Sequence, residues 1–122
     1  MHTRKRIMAE RSDAFVVMPG GYGTLDELAE IVVWRQLGLH HKPIIMLNIA
    51  GFWDHYQKQL DVMAAEGFIK PEHRNHLIFV KTAEEVMPAL MAEFARLEAL
   101  EKAGPGPAHG NKEELDEDLT RT

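Results

Sequence analysis

Three short apolar runs that do not alternate with polar residues constrain this chain more than any other feature. They are residues 14–18 (AFVVM), 44–49 (IIMLNI) and 77–80 (LIFV). A strand with one wet face alternates, so these runs read as strands buried on both faces, as in a parallel sheet. Helical patterns lie between them. In residues 24–37, Leu25, Leu28, Ile31, Val32 and Leu37 fall close to one face, and Gly38 follows as a C-cap. Residues 53–66 read as a second helix, stopped by Gly67. Thr82-Ala-Glu-Glu85 is a capping-box sequence opening a last helix to about Leu100, in which Pro88 predicts a kink or a delayed start. Residues 1–11 read as a short helix with Ile7 and Met8 as its apolar face. The strand–helix alternation predicts an α/β fold, a parallel sheet with helices on both faces. Three strands are few for this, and the strand at 14–18 would lack a neighbour. The expectation is therefore a sandwich without its N-terminal strands. It occupies residues 1–101, and a polar tail at 102–122 is expected to be disordered.

Composition narrows the function classes. A chain of 122 residues allows one domain, and its net charge of −5 argues against a general nucleic-acid binder, which would need a basic face. With no cysteine there is no disulfide, thiolate nucleophile or thiolate metal site. No apolar run approaches the ~20 residues needed to cross a bilayer. The basic start MHTRKR lacks the apolar segment of a secretory signal, which makes the cytoplasm the default compartment.

The chemistry concentrates in residues 19–27, PGGYGTLDE, between a strand and a helix. Glycines at positions 20, 21 and 23 leave backbone N–H groups unobstructed, and the following helix adds its dipole and unpaired amides. Gly20, Gly21, Tyr22, Gly23 and Thr24 therefore form a candidate phosphate cradle. It is neither a Walker A loop, since no lysine follows the last glycine, nor a GxGxxG fingerprint. A second reading stays open: Thr24-Leu-Asp-Glu27 is itself a capping box, in which Glu27 would only bond back to its own helix terminus. Arg4 and Lys5 favour the functional reading. Two cations near a helix start oppose its dipole, which a bound anion would offset. For Arg6 and Arg11 a solvated cluster is the simpler account.

Two segments in register carry a family resemblance. Met1-His2-Thr3-Arg4-Lys5 resembles the MHxRK segment of Lonely guy (LOG) type nucleoside-monophosphate phosphoribohydrolases, and residues 19–27 resemble their PGGxGTxxE signature. Trp34-Arg-Gln-Leu-Gly38, Lys42-Pro43 and Gly51-Phe-Trp53 are also similar, so the likeness runs from Met1 to about Leu100. Such proteins are often labelled lysine decarboxylases, but nothing in this sequence resembles a pyridoxal-phosphate site. Proteins of the family carry an N-terminal half with its own Gly-rich loop, which has no counterpart here.

The resemblance implies a Rossmann-like three-layer sandwich. It also implies hydrolysis of the N-glycosidic bond of a nucleoside 5′-monophosphate, a cytokinin ribotide or an AMP-like nucleotide, to free base and ribose 5-phosphate. Arg4 and Glu27 would be catalytic, Gly20 to Thr24 would hold the phosphate, and Lys5 would assist substrate binding. No cofactor or metal is implied. The nucleotide is the partner, in a homodimer with sites near the interface. The alternative is a non-catalytic nucleotide-binding module or an inactive fragment of such an enzyme. Asp26 is read as a solvent-facing charge at the helix start. His40-His41 and the pair His73 and His76 lack carboxylate or thiolate partners at metal-ligand spacing. Trp34, Phe52, Trp53 and Tyr56, with Met46, Met63, Met87 and Met91, read as core or interface packing.

Overall fold

The computed structural model describes residues 2–103. Helix α1 (His2–Arg11) leads into β1 (Phe15–Val17), α2 (Tyr22–Gln36) and β2 (Ile44–Leu47). A 3-10 turn (Ile49–Gly51) precedes α3 (Asp54–Ala65) and the short α4 (Pro71–Arg74), then β3 (Leu77–Val80). A second 3-10 turn (Ala83–Glu85) leads into α5 (Val86–Lys102). The strands form one parallel sheet in the order β1-β2-β3, with Val17 opposite Met46 and Leu47 opposite Val80.

The alternation of side chains along β2 produces the layers. Ile44 and Met46 pack with Val17, Leu28, Trp53 and Leu77, against which Leu25, Ile31 and Val32 of α2 and Tyr56 and Leu60 of α3 also lie. Ile45 and Leu47 point the other way, to Val80 and to Val86, Ala89 and Leu90 of α5. The expected α/β sandwich with helices on both faces is thus present. Met46 and Trp53 belong to the core, whereas Phe52, Met87 and Met91 are exposed.

Helix ends depart from the sequence reading in instructive ways. Gly38 and Gly67 both adopt positive φ after their helices, as C-capping requires. The two capping boxes do not form. Helix α2 begins at Tyr22 with Gly21 as its N-cap, so Thr24 lies inside the first turn and caps nothing. Thr82 makes no side-chain cap either, and the Glu85 carboxylate accepts from the N–H of Lys81 (3.1 Å). Pro88 delays the last helix by one 3-10 turn, then sits in the first turn of α5, where no backbone N–H is missed. The single turn of helix at α4, PEHR, carries no periodic apolar signal in the sequence.

Helix α1 also differs. Ile7 (44% exposed) and Met8 (51%) do not form a buried face, and Ala9 is the residue that is buried. The physical reason is the open edge of β1. Helix α1 flanks a strand with no outer neighbour among the described residues, so Met8 borders a cleft rather than a covered sheet face. The expected tail falls largely on residues 104–122, outside the described residues; α5 itself continues to Lys102. Among the described residues no helix is long and apolar enough to cross a membrane.

At the amino-terminal ends of β2 and β3 lies a cluster that sequence spacing did not reveal. Arg35 is buried and donates to the Lys42 carbonyl (2.7 Å). The His73 and His76 rings meet edge to face at 5.2 Å, and Glu93 and Arg96 of α5 pair at 2.5 Å. Burial, assisted by the positive charge of Arg35, pushes the His76 imidazole down to about 4. His76 is therefore neutral in the fold, and its unfolded form takes a proton more readily. Its contribution to stability is complete above about pH 6.5 and is lost as the pH falls toward about 4. The melting temperature of the wild-type chain should fall across that window, and His76→Gln should flatten the fall. An equally steep fall in His76→Gln would show that this ring is not responsible.

Candidate active site

The loop after β1 and the first turn of α2 stand at the carboxyl ends of the strands, where ligands of open α/β sheets bind. Gly20 is needed there for space: a Cβ on it would overlap Thr24, whose own Cβ would be 2.9 Å away. Gly21 and Gly23 face open space. The Leu25 N–H bonds the Gly21 carbonyl (3.1 Å) and closes the first turn. Preceding amides at Tyr22, Gly23 and Thr24 have no intrahelical acceptor, and the turn is open to solvent, with Tyr22 92% exposed. The expected strand–glycine–helix turn is thus present, with its helix starting two residues earlier than the spacing suggests.

Beside it runs a cleft of about 380 Å³ along the open edge of β1. Thr24, Glu27, Lys5 and Glu30 supply its polar wall, and Met8, Met18, Ile31 and Trp34 much of its apolar wall. Trp34 is therefore a cleft residue as much as a packing one. Lys5 crosses from α1 to α2, bonding Asp26 at 2.5 Å and Glu30 at 3.2 Å. The Asp26 carboxylate, seconded by Glu30, holds the Lys5 ammonium above the ordinary lysine range. Asp26 is exposed, as the sequence suggested, but it is an ion-pair partner rather than a solvated charge. Lys5 serves to join two helices, and its charge is already matched.

Arg4 and Glu27 are different. Each is adjacent in sequence to one end of the Lys5–Asp26 bridge, Arg4 on α1 and Glu27 on α2. Both are exposed, and among the described residues neither side chain has a hydrogen bond or ion pair. Glu27 lines the cleft; Arg4 lies outside its wall. The capping role for Glu27 is removed by the early start of α2, because the N-cap is Gly21 and carries no side-chain cap. Arg6 pairs with Glu10 along α1 (3.3 Å), consistent with a surface role.

One further residue shapes this end of the sheet. Asn48 follows β2 directly, and its N–H donates to the Val80 carbonyl (2.7 Å). Its buried side chain accepts from the Trp53 N–H (2.6 Å) and donates to Asp54 (2.8 Å). It holds a tight turn in which Ala50 adopts φ 53° and Gly51 φ 72°. A lone polar residue ending an apolar strand run was the available signal. Among the described residues no group of three or more His, Asp or Glu side chains is placed to hold a metal ion.

Gly20→Ala should destabilise the chain by about 1–3 kcal/mol, the usual scale of overpacking. Gly23→Ala, at an unobstructed helical position, should leave the melting temperature unchanged or slightly raised. Equal melting temperatures for the two variants would mean that Thr24 does not close on Gly20.

Comparison with known proteins agrees with this geometry. Residues 1–90 match a family model described as possible lysine decarboxylase. A probable cytokinin riboside 5′-monophosphate phosphoribohydrolase of Oryza sativa subsp. japonica is 48% identical over 90 residues, covering 74% of this chain and 43% of that protein. One of the same description from Arabidopsis thaliana is 48% identical over 86 residues, 70% of this chain and 43% of that protein. A cytokinin riboside 5′-monophosphate phosphoribohydrolase of Oryza sativa subsp. japonica is 47% identical over 87 residues, 71% and 36%. The chain thus spans less than half the length of these relatives. With the family model matching residues 1–90 of the chain, and relatives of this name nearly half identical over most of it, the chain belongs to the Lonely guy (LOG) family.

Proposed function

We propose that this chain serves hydrolysis of the N-glycosidic bond of a nucleoside 5′-monophosphate, releasing the free base and ribose 5-phosphate. The observation that carries the reading is the contrast between charges. Lys5, Asp26 and Glu30 satisfy one another, whereas Arg4 and Glu27 beside them are exposed and unengaged among the described residues. The relatives' names describe the same reaction class on cytokinin riboside 5′-monophosphates.

In this reading the 5′-phosphate rests on the amides of Gly20 to Thr24, with the Thr24 hydroxyl helping. Cleavage of the bond between C1′ and the base nitrogen leaves the ribose oxocarbenium-like. The Glu27 carboxylate stabilises that positive charge and orients or deprotonates the attacking water. The new bond joins C1′ to the water oxygen, and the departing base gains a proton. Arg4 stays protonated and acts electrostatically, on the nucleotide anion and on charge developing at the base. Lys5 contributes by holding α1 against α2. The unit works as the C-terminal portion of a larger Rossmann-like domain, in a cytoplasmic homodimer; the open edge of β1 supports the first of these.

Release of base from AMP or an N6-substituted AMP, followed chromatographically, tests the activity. Glu27→Gln should lower turnover by about 10²-fold or more while keeping nucleotide affinity. Arg4→Ala should weaken both, since a cation acts on the ground-state anion too. Normal turnover in Glu27→Gln would remove that residue from catalysis and leave a binding module.

A further inference from the structure

Helix α1 carries Arg4, yet it is poorly anchored by apolar contact. Ala9 is its one buried residue among those described, and Ile7 and Met8 are exposed. Its place therefore depends on polar tethers. One is the Lys5 bridge to α2, near the start of the helix. The other comes from a residue more than thirty positions away. The Lys42 ammonium donates to the carbonyl of Ala9 and to that of Glu10 (3.3 Å). These carbonyls lie in the last turn, where a helix leaves its acceptors unpaired and its dipole is negative, so a cation there is favourable twice over.

Lys42 is itself held at the entrance to β2. Its N–H donates to His40 Nδ1 (3.1 Å), and its carbonyl accepts from the buried Arg35 (2.7 Å). The other nitrogen of His40 donates to the Ile31 carbonyl (2.8 Å), which fixes the tautomer that lets Nδ1 accept. Pro43 follows, fully buried, and β2 begins. The ammonium is thus mounted on the most buried part of the molecule and reaches out to the carboxyl end of an otherwise loose helix.

We propose that Lys42 is a positioning residue of the site. By gripping the C-terminal carbonyls of α1 it sets the axial position of that helix, and so places Arg4, ~8 Å along the axis, relative to Glu27 on α2. The proposal rests on the role given to Arg4 in the hydrolysis. It assigns Lys42 no contact with the nucleotide.

Two variants test it in the full chain. Lys42→Met keeps the stem and removes the ammonium; Lys42→Arg keeps a cationic donor. Hydrogen exchange of α1 amides should quicken by about tenfold or more in Lys42→Met, as for a unit that opens locally, with β2 and β3 unchanged. Lys42→Arg should restore slow exchange. With AMP as substrate, Lys42→Met should lower kcat by about 10- to 10²-fold, the scale of a misplaced group, with a smaller effect on KM. Added to Arg4→Ala, it should cause little further loss, because its effect passes through Arg4. Unchanged α1 exchange in Lys42→Met overturns the proposal, as does a full additional loss on top of Arg4→Ala. Failure of the wild-type chain to release base from AMP would instead overturn the hydrolase reading, and the exchange measurement would still decide whether Lys42 holds α1.

Discussion

Four consecutive residues, Ile44 to Leu47, none more than 3% exposed, support the architecture around them. Each such side chain contributes roughly 1.5–3 kcal/mol when withdrawn from water, and the pleat sends them alternately to two cores. Helices α2 and α3 cover one side and α5 the other because β2 offers apolar surface in both directions. Its parallel neighbours follow from the same fact. A strand buried on both faces cannot be joined to its partners by tight hairpins on a wet surface, and the crossovers through α2 and α3 supply the covering layer as they return the chain.

The site is built from what that packed centre leaves unfinished. At the carboxyl ends of β1 and β2, close packing gives way to two tight turns, one shaped by Gly20 under Thr24 and one by Asn48 clamping Trp53 and Asp54. Among the described residues the sheet stops at β1, and α1 flanks the cleft with little apolar contact of its own. Ionic and hydrogen-bonded tethers take over where hydrophobic burial runs out. Lys5 and Lys42, one toward each end of α1, fix a helix that would otherwise be free to slide. An arrangement of this kind leaves Arg4 exposed rather than packed away.

Much of this was legible in the residues. Non-alternating runs placed all three strands and their parallel sense, because burial on both faces leaves no polar positions to vary. Gly38 and Gly67 marked helix ends, since both positions need positive φ. The glycines at 20, 21 and 23 marked the turn at a helix start, where Gly20 leaves room for Thr24. The failures share one cause. Thr24 and Thr82 carry good capping-box spacing, but a cap depends on where the preceding loop delivers the chain, and that is set by strand length and packing. Ile7 and Met8 have helical spacing for a buried face, but a face is buried only if something lies opposite it.

By itself the sequence determined the class of fold and the position of the Gly-rich turn, and it marked Arg4 and Glu27 as candidates, through motifs that are local and contiguous. Only the tertiary structure decided which charges pair with one another. Lys5 and Arg4 are indistinguishable side by side in the chain, yet Lys5 meets Asp26 and Glu30 while Arg4 meets no described partner. Lys42 and the Ala9 carbonyl, far apart in sequence, become bonded neighbours at the entrance to β2. Ion pairs and caps of this kind depend on distances of a few ångströms between separate elements, and those distances exist only after the two cores have packed.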